Sequence, residues 1–112
     1  MPALLGLRDR LPRMGEYAAW ARALAGELVD VGLRVNPDPP HTNTFEVFAD
    51  SPLEEVHERL AVFMEREQVQ PCGLWTATGV PGTSRTEMAC YDAALDHDPA
   101  QVAAWFAEIA GR

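Results

Sequence analysis

Arg85 is the side chain whose setting most suggests chemistry. It lies in Val80-Pro-Gly-Thr-Ser-Arg85-Thr-Glu-Met-Ala-Cys90-Tyr-Asp92, where a Pro-Gly turn delivers a strand with the arginine near its start. Pro presets φ and Gly permits the left-handed region, so the turn fixes where the strand begins. In a strand, Arg85, Glu87, Ala89 and Tyr91 share one face, and Ser84, Thr86, Met88 and Cys90 share the other. A planar guanidinium just past a tight turn is placed to grip a carboxylate through parallel N–H bonds. Two partners fit that geometry. One is a ligand carboxylate; the other is an acid of the protein itself, Glu87 or a neighbour across the sheet, in an ordinary surface ion pair.

Other chemistry finds little support. His41, His57 and His97 are far apart and show no His-x-x-x-His or Cys-x-x-Cys spacing, so no metal site is expected. A metal-binding protein built from His and Cys residues is a third option. Ser84 has no G-x-S-x-G context for a nucleophile elbow, and no Gly-rich phosphate loop is present. Asp92, Asp96 and Asp98 read as turn and helix-cap residues. All nine basic residues are arginine and none is lysine. A guanidinium stays protonated and forms no imine, so the chain cannot supply the amine of a catalytic Schiff base. No catalytic residue is therefore expected in this chain.

The 112 residues suit a single domain, 1–112, with 1–12 as lead-in or linker. Hydrophobic content of 47% and charged content of 23% argue for a folded core. With 17 acids against 9 bases, the net charge is -8, which repels phosphate backbones and speaks against nucleic-acid partners. No apolar run is long enough to span a membrane, and the arginine-bearing first 13 residues do not resemble a signal peptide. Cys72 and Cys90 read as buried cytosolic thiols, which gives a cytoplasmic expectation.

The elements that must position Arg85 follow from periodicity. Met14, Ala18, Ala21, Leu24 (or Ala25) and Leu28 predict a helix over about 13–31, closed by Gly32. Leu33-Arg-Val35 is a short strand stopped by the prolines at 37, 39 and 40, and Phe45-Glu-Val-Phe48 alternates as a second. The mixed character of its two faces suggests a sheet partly covered on both sides. Ser51-Pro52 opens a helix, with Ser51 as N-cap and a glutamate closing a capping box; Leu53, Val56, Leu60, Phe63 and Met64 form its buried stripe. His57 at the stripe's edge reads as structural. Gln68–Cys72 reads as an edge-like strand, Gly73–Gly79 as a loop or strand-turn carrying Trp75, and 83–90 as the strand bearing Arg85. Asp98-Pro99 starts a last helix over about 99–110, with Val102, Trp105, Phe106 and Ile109 inward. The expected fold is α+β in the order α-β-β-α-β-β-α: a three- to four-stranded, mainly antiparallel sheet with helices on one face.

Three ordered segments carry a resemblance across nearly the whole chain: Leu11-Pro-Arg-Met14, Asn36-Pro-Asp-Pro-Pro-His-Thr-Asn-Thr-Phe45, and Val80-Pro-Gly-Thr-Ser-Arg85-Thr-Glu with the Asp-Pro helix. Together they resemble the C-terminal domain of the threonine aldolase and β-eliminating lyase family, pyridoxal-phosphate enzymes of the aspartate-aminotransferase fold. Thr44 departs from the family, where methionine is common. The resemblance implies that Arg85 binds the α-carboxylate of an amino-acid substrate and orients its scissile bond. His41 and Asn43 receive no role from it. The family's cofactor-binding lysine, aspartate and phosphate cradle belong to a large domain that this sequence lacks. The expectation is a domain not catalytic alone, binding no cofactor by itself, and partnered by a large-domain chain, with an amino-acid substrate only in the assembled enzyme. The alternative is a stand-alone, non-catalytic α+β interaction or ligand-binding module. Some of Tyr17, Trp20, Trp75 and Trp105 would be exposed without the large domain, favouring self-association.

Overall fold

Among the residues described by the computed structural model, 13–90 and 93–112, three α-helices and four strands alternate in the expected order. They are α1 (Met14–Asp30), β1 (Arg34–Asn36), β2 (Thr44–Ala49), α2 (Leu53–Glu67), β3 (Trp75–Ala77), β4 (Ser84–Ala89) and α3 (Pro99–Ala110), with a 3-10 turn at Ala94–Asp96. The lead-in 1–12 and the residues Tyr91 and Asp92 lie outside the described residues. The strands form one antiparallel sheet in the order β1-β2-β4-β3, so the fold is α+β as expected.

Alternation along β2 decides which face is inside. Phe45, Val47 and Ala49 are buried beneath the helices, while Glu46 and Phe48 point away and are half-buried. On the helix face α1 lies over β1 and β2, α2 lies against β3, and α3 fits between α1 and α2. That central place explains why α3 is apolar on two sides: Val102, Ala103, Phe106, Ile109 and Ala110 are all buried, and the alanines allow close approach. Phe106 meets Trp75 with ring centroids 6.1 Å apart, and Phe63 meets Trp105 edge-on at 5.8 Å.

Local signals explain the ends of the elements. Asp98 caps α3 by accepting from the Ala100 N–H at 3.1 Å, with Pro99 in the first turn. After α1, Gly32 takes φ +93°, while the Gly32 and Leu33 N–H groups donate to the Val29 and Leu28 carbonyls at 2.9 and 3.0 Å. This is a Schellman closure that a residue with a Cβ would strain.

Several local expectations are corrected. The third strand is Trp75–Ala77 and not Gln68–Cys72: Gln68 adopts a left-handed φ of 56° that ends α2, and pairing begins where Trp75 can bury opposite Thr86. Ser51 is not the N-cap of α2. Pro52 holds that position without a side-chain bond, and the Ser51 hydroxyl instead meets Glu55 at 3.3 Å and the Arg59 guanidinium. The sheet face bearing Glu46 and Phe48 is not covered by any element among the described residues. Finally, Tyr17, Trp20 and Trp75 are buried and Trp105 is half-buried, so these aromatics offer no exposed patch. On α1 the buried stripe is rotated to include Tyr17 and Trp20, leaving Met14 exposed.

The Phe106→Ala variant should lose about 3–5 kcal/mol, the cost of emptying a filled aromatic site, and Asp98→Ala about 1 kcal/mol through loss of the cap. Urea unfolding followed by circular dichroism measures both, and an Asp98→Ala loss as large as that of Phe106→Ala would contradict this ranking.

Candidate functional site

The turn that precedes β4 is built as its sequence requires. The Thr83 N–H donates to the Val80 carbonyl at 3.2 Å across Pro81 and Gly82, and Gly82 has φ +76°. Pro at the second position and a left-handed Gly at the third make a type II turn. Thr78 and Thr83 tie the loop through their hydroxyls, and the Thr83 hydroxyl donates to the Val80 carbonyl at 2.7 Å. Two buried hydroxyls then anchor the helix face of β4: Ser84 donates to the Ser51 carbonyl at 2.8 Å and Thr86 to the Leu74 carbonyl at 2.9 Å. Arg85, between them, must point to the open face.

There the register sets rows across the sheet. Arg34, Phe48, Arg85 and Thr76 lie in one row; Asn36, Glu46 and Glu87 lie in the next. Glu46 and Glu87 are direct cross-strand partners, a like-charge juxtaposition that is unfavourable by itself. Arg85 relieves it by reaching diagonally: its Nη1 donates to Glu46 Oε2 at 3.0 Å. Arg34 makes the corresponding contact outward, donating to Asp50 at 2.6 Å. The Arg85 and Glu46 side chains are 49% and 33% exposed, so the pair is screened by water and adds little stability.

Around the pair lies a shallow depression of about 400 Å³ lined by Glu46, Leu74, Thr76, Arg85 and Glu87. Arg85 is thus on an accessible surface, and its surface partner is the neighbour across the sheet, not Glu87. Glu46 is the residue that sequence reasoning did not single out. Its position in the Phe45–Phe48 alternation puts it on the outward face, but only the β2–β4 register brings it to Arg85.

The other residues considered fall elsewhere. Asn43 is buried, and its side-chain amide donates to the Cys90 carbonyl at 3.0 Å while the Cys90 N–H donates to the Asn43 carbonyl at 2.9 Å. It extends the β2–β4 ladder at the end remote from Arg85, five strand positions from Phe48, or about 17 Å. His41 is exposed, His57 lies 3.4 Å from the Trp75 carbonyl, and His97 packs edge-on to Trp105 at 5.5 Å. Among the described residues no three His, Cys, Asp or Glu side chains gather around a metal-sized position. Asp98 is the cap of α3, and Asp92 lies outside the described residues. A second groove of about 460 Å³ is lined by Trp20, Cys72, Met88, His97 and Trp105, with the Trp20 indole donating to the His97 carbonyl at 3.0 Å. Every buried side-chain polar atom among the described residues has a partner, so the interior offers no group awaiting a ligand.

The thiols are inert by environment. Burial pushes Cys72 up from 9.0 to about 11, partly offset by the Trp75 indole N–H donating to its sulfur at 3.1 Å. Burial alone pushes Cys90 up to about 12. Neither is a thiolate near neutral pH, which removes both as nucleophiles. Among the described residues no helix is long and apolar enough to cross a membrane.

No family model matches the chain, and no curated protein matches it. Among solved structures it is similar to a crystal structure assigned as an aromatic amino acid β-eliminating lyase/threonine aldolase from Exiguobacterium sp. 255-15, with a TM-score of 0.74 and 24% identity. The match covers 94% of this chain and 29% of that one, so this chain spans under a third of the length of its structural neighbour. At that identity the likeness establishes the fold.

The raised thiols give a pH prediction. Folded, the two cysteines keep protons that the unfolded chain releases above pH 9.0, so their stabilisation is complete below 9.0 and is lost as pH rises to about 11 and about 12. The urea midpoint should therefore fall between about pH 8 and about pH 10.5, and Cys90→Ala should flatten the fall. An unchanged slope in that variant would show that Cys90 does not carry it.

Proposed function

We propose that this chain is the C-terminal domain of a threonine-aldolase-like or β-eliminating amino-acid lyase and supplies the arginine that binds the substrate's α-carboxylate. The observation that carries this reading is the fold likeness: almost the whole chain aligns with under a third of a lyase-like protein. The ordered motifs add to it, and Arg85 stands on an uncovered sheet face with four of its five N–H donors unused among the described residues.

In this role Arg85 would grip a carboxylate through its guanidinium fork and so fix the orientation of the bonds at Cα. Leu74, 77% exposed, and half-buried Phe48 on the same face would be covered by a large-domain chain or by a second copy of this one. Pyridoxal phosphate, the group this family implies, does not fit this chain. It has no lysine to hold the group covalently, and Glu46 and Glu87 beside Arg85 oppose a phosphate. The carbanion-stabilising chemistry that the group supplies when bound would belong to a lysine-bearing large domain.

A second reading, a stand-alone non-catalytic module, is favoured by one observation: the Arg85 charge is already met by Glu46, and the core closes within the described residues.

Reconstitution separates the two. Mixed with a cofactor-loaded large-domain chain of this family, the protein should release glycine from L-threonine, and alone it should release none. Arg85→Lys should lower the reconstituted rate about ten- to hundredfold, because an ammonium loses the bidentate charged bonds. Glycine release by the chain alone, or full activity of Arg85→Lys in the mixture, would overturn the proposal.

A further inference from the structure

We infer that Glu46 is an internal carboxylate that competes with the ligand carboxylate for Arg85, a positioning residue that holds the guanidinium in the unliganded domain and sets its affinity. This inference rests on the carboxylate-clamp reading of Arg85. Three observations carry it.

The contact is single: only Nη1 of Arg85 meets Glu46 Oε2, at 3.0 Å, and among the described residues the guanidinium has no other partner. Arg85 is thus held in place while most of its fork stays available. Next, the contact is soft. Glu46 is one-third exposed and Arg85 half exposed, so water and salt can replace either partner at little cost.

The charge balance is the third observation. The depression around Arg85 contains one guanidinium and two carboxylates, Glu46 and Glu87, which are paired directly across β2 and β4. An incoming carboxylate is the third anion at one cation. It binds well only when Glu46 swings off Arg85 toward water, or when a partner surface covering this face draws Glu46 away. Glu46 therefore weakens free carboxylate binding to the isolated domain and keeps Arg85 extended over the sheet until the site is complete.

Glu87 is the internal control. It lies two residues from Arg85 on the same strand and face but makes no bond to it. Both acids contribute field, and Glu46 alone contributes competition.

The test titrates the folded chain with sodium acetate at constant ionic strength and follows the Arg85 Nε–H resonance by nitrogen-15 NMR, the signal being identified by its loss in Arg85→Lys. Wild type should bind weakly, Glu46→Gln about fivefold more tightly, the scale of removing one unit charge about 4 Å away in water, and Glu87→Gln by less. Equal tightening in the two glutamine variants would assign the effect to general charge and overturn the competition, leaving the clamp standing. Equal acetate affinity in wild type and Glu46→Gln would do the same. An Arg85 resonance unmoved by acetate in wild type and in both variants would overturn the clamp and the competition together.

Discussion

The antiparallel ladder between β2 and β4 is the constraint on which the rest of the structure depends. Six residue pairs, from Thr44 with Ala89 to Ala49 with Ser84, fix both faces of the sheet at once. Side chains alternate with period two, so a slip of one residue would carry Arg85 or Glu46 under the helices and expel the buried side chains of Phe45 and Val47. The burial cost of an ionised group makes that slip prohibitive. The hydroxyls of Ser84 and Thr86 pin the same register from the other side, because each finds a carbonyl, Ser51 and Leu74, only where it now sits.

From that ladder the helix layer and the open face follow. Phe45, Val47 and Ala49 give α1, α2 and α3 an apolar floor, and Trp75 on the edge strand extends it to Phe106. The opposite face has alternating rows of charge, with arginines at 34 and 85 on either side of Phe48 and glutamates at 46 and 87 beside them. This face presents a cation, its internal counter-charge, and apolar ground in Phe48 and Leu74. The domain therefore combines a closed core with an arginine on the side the core does not need.

Much of the architecture was legible because its signals are local. Asp98-Pro99 sets the start of α3 by cap chemistry, Val80-Pro-Gly-Thr sets the turn before β4, and Gly32 closes α1; each requires only a few neighbouring residues. The third strand was misplaced because Gln68–Cys72 and Trp75–Ala77 are both short, and only the opposing strand decides which of them pairs. The inward rotation of Tyr17 and Trp20 depends on what α1 packs against, including the His97 carbonyl 77 residues away. At the candidate site, Arg85 and its outward direction could be read from the turn and the alternation. The Glu46 contact could not, since it spans 39 residues and exists only through the register.

The most direct test of the central claim is a crystal structure of this chain assembled with a lysine-bearing cofactor domain and an amino-acid ligand. The predicted result is a ligand α-carboxylate within about 3 Å of the Arg85 guanidinium nitrogens, with Glu46 turned off it. A ligand carboxylate bound elsewhere, with Arg85 still donating to Glu46, would contradict the role assigned to this arginine.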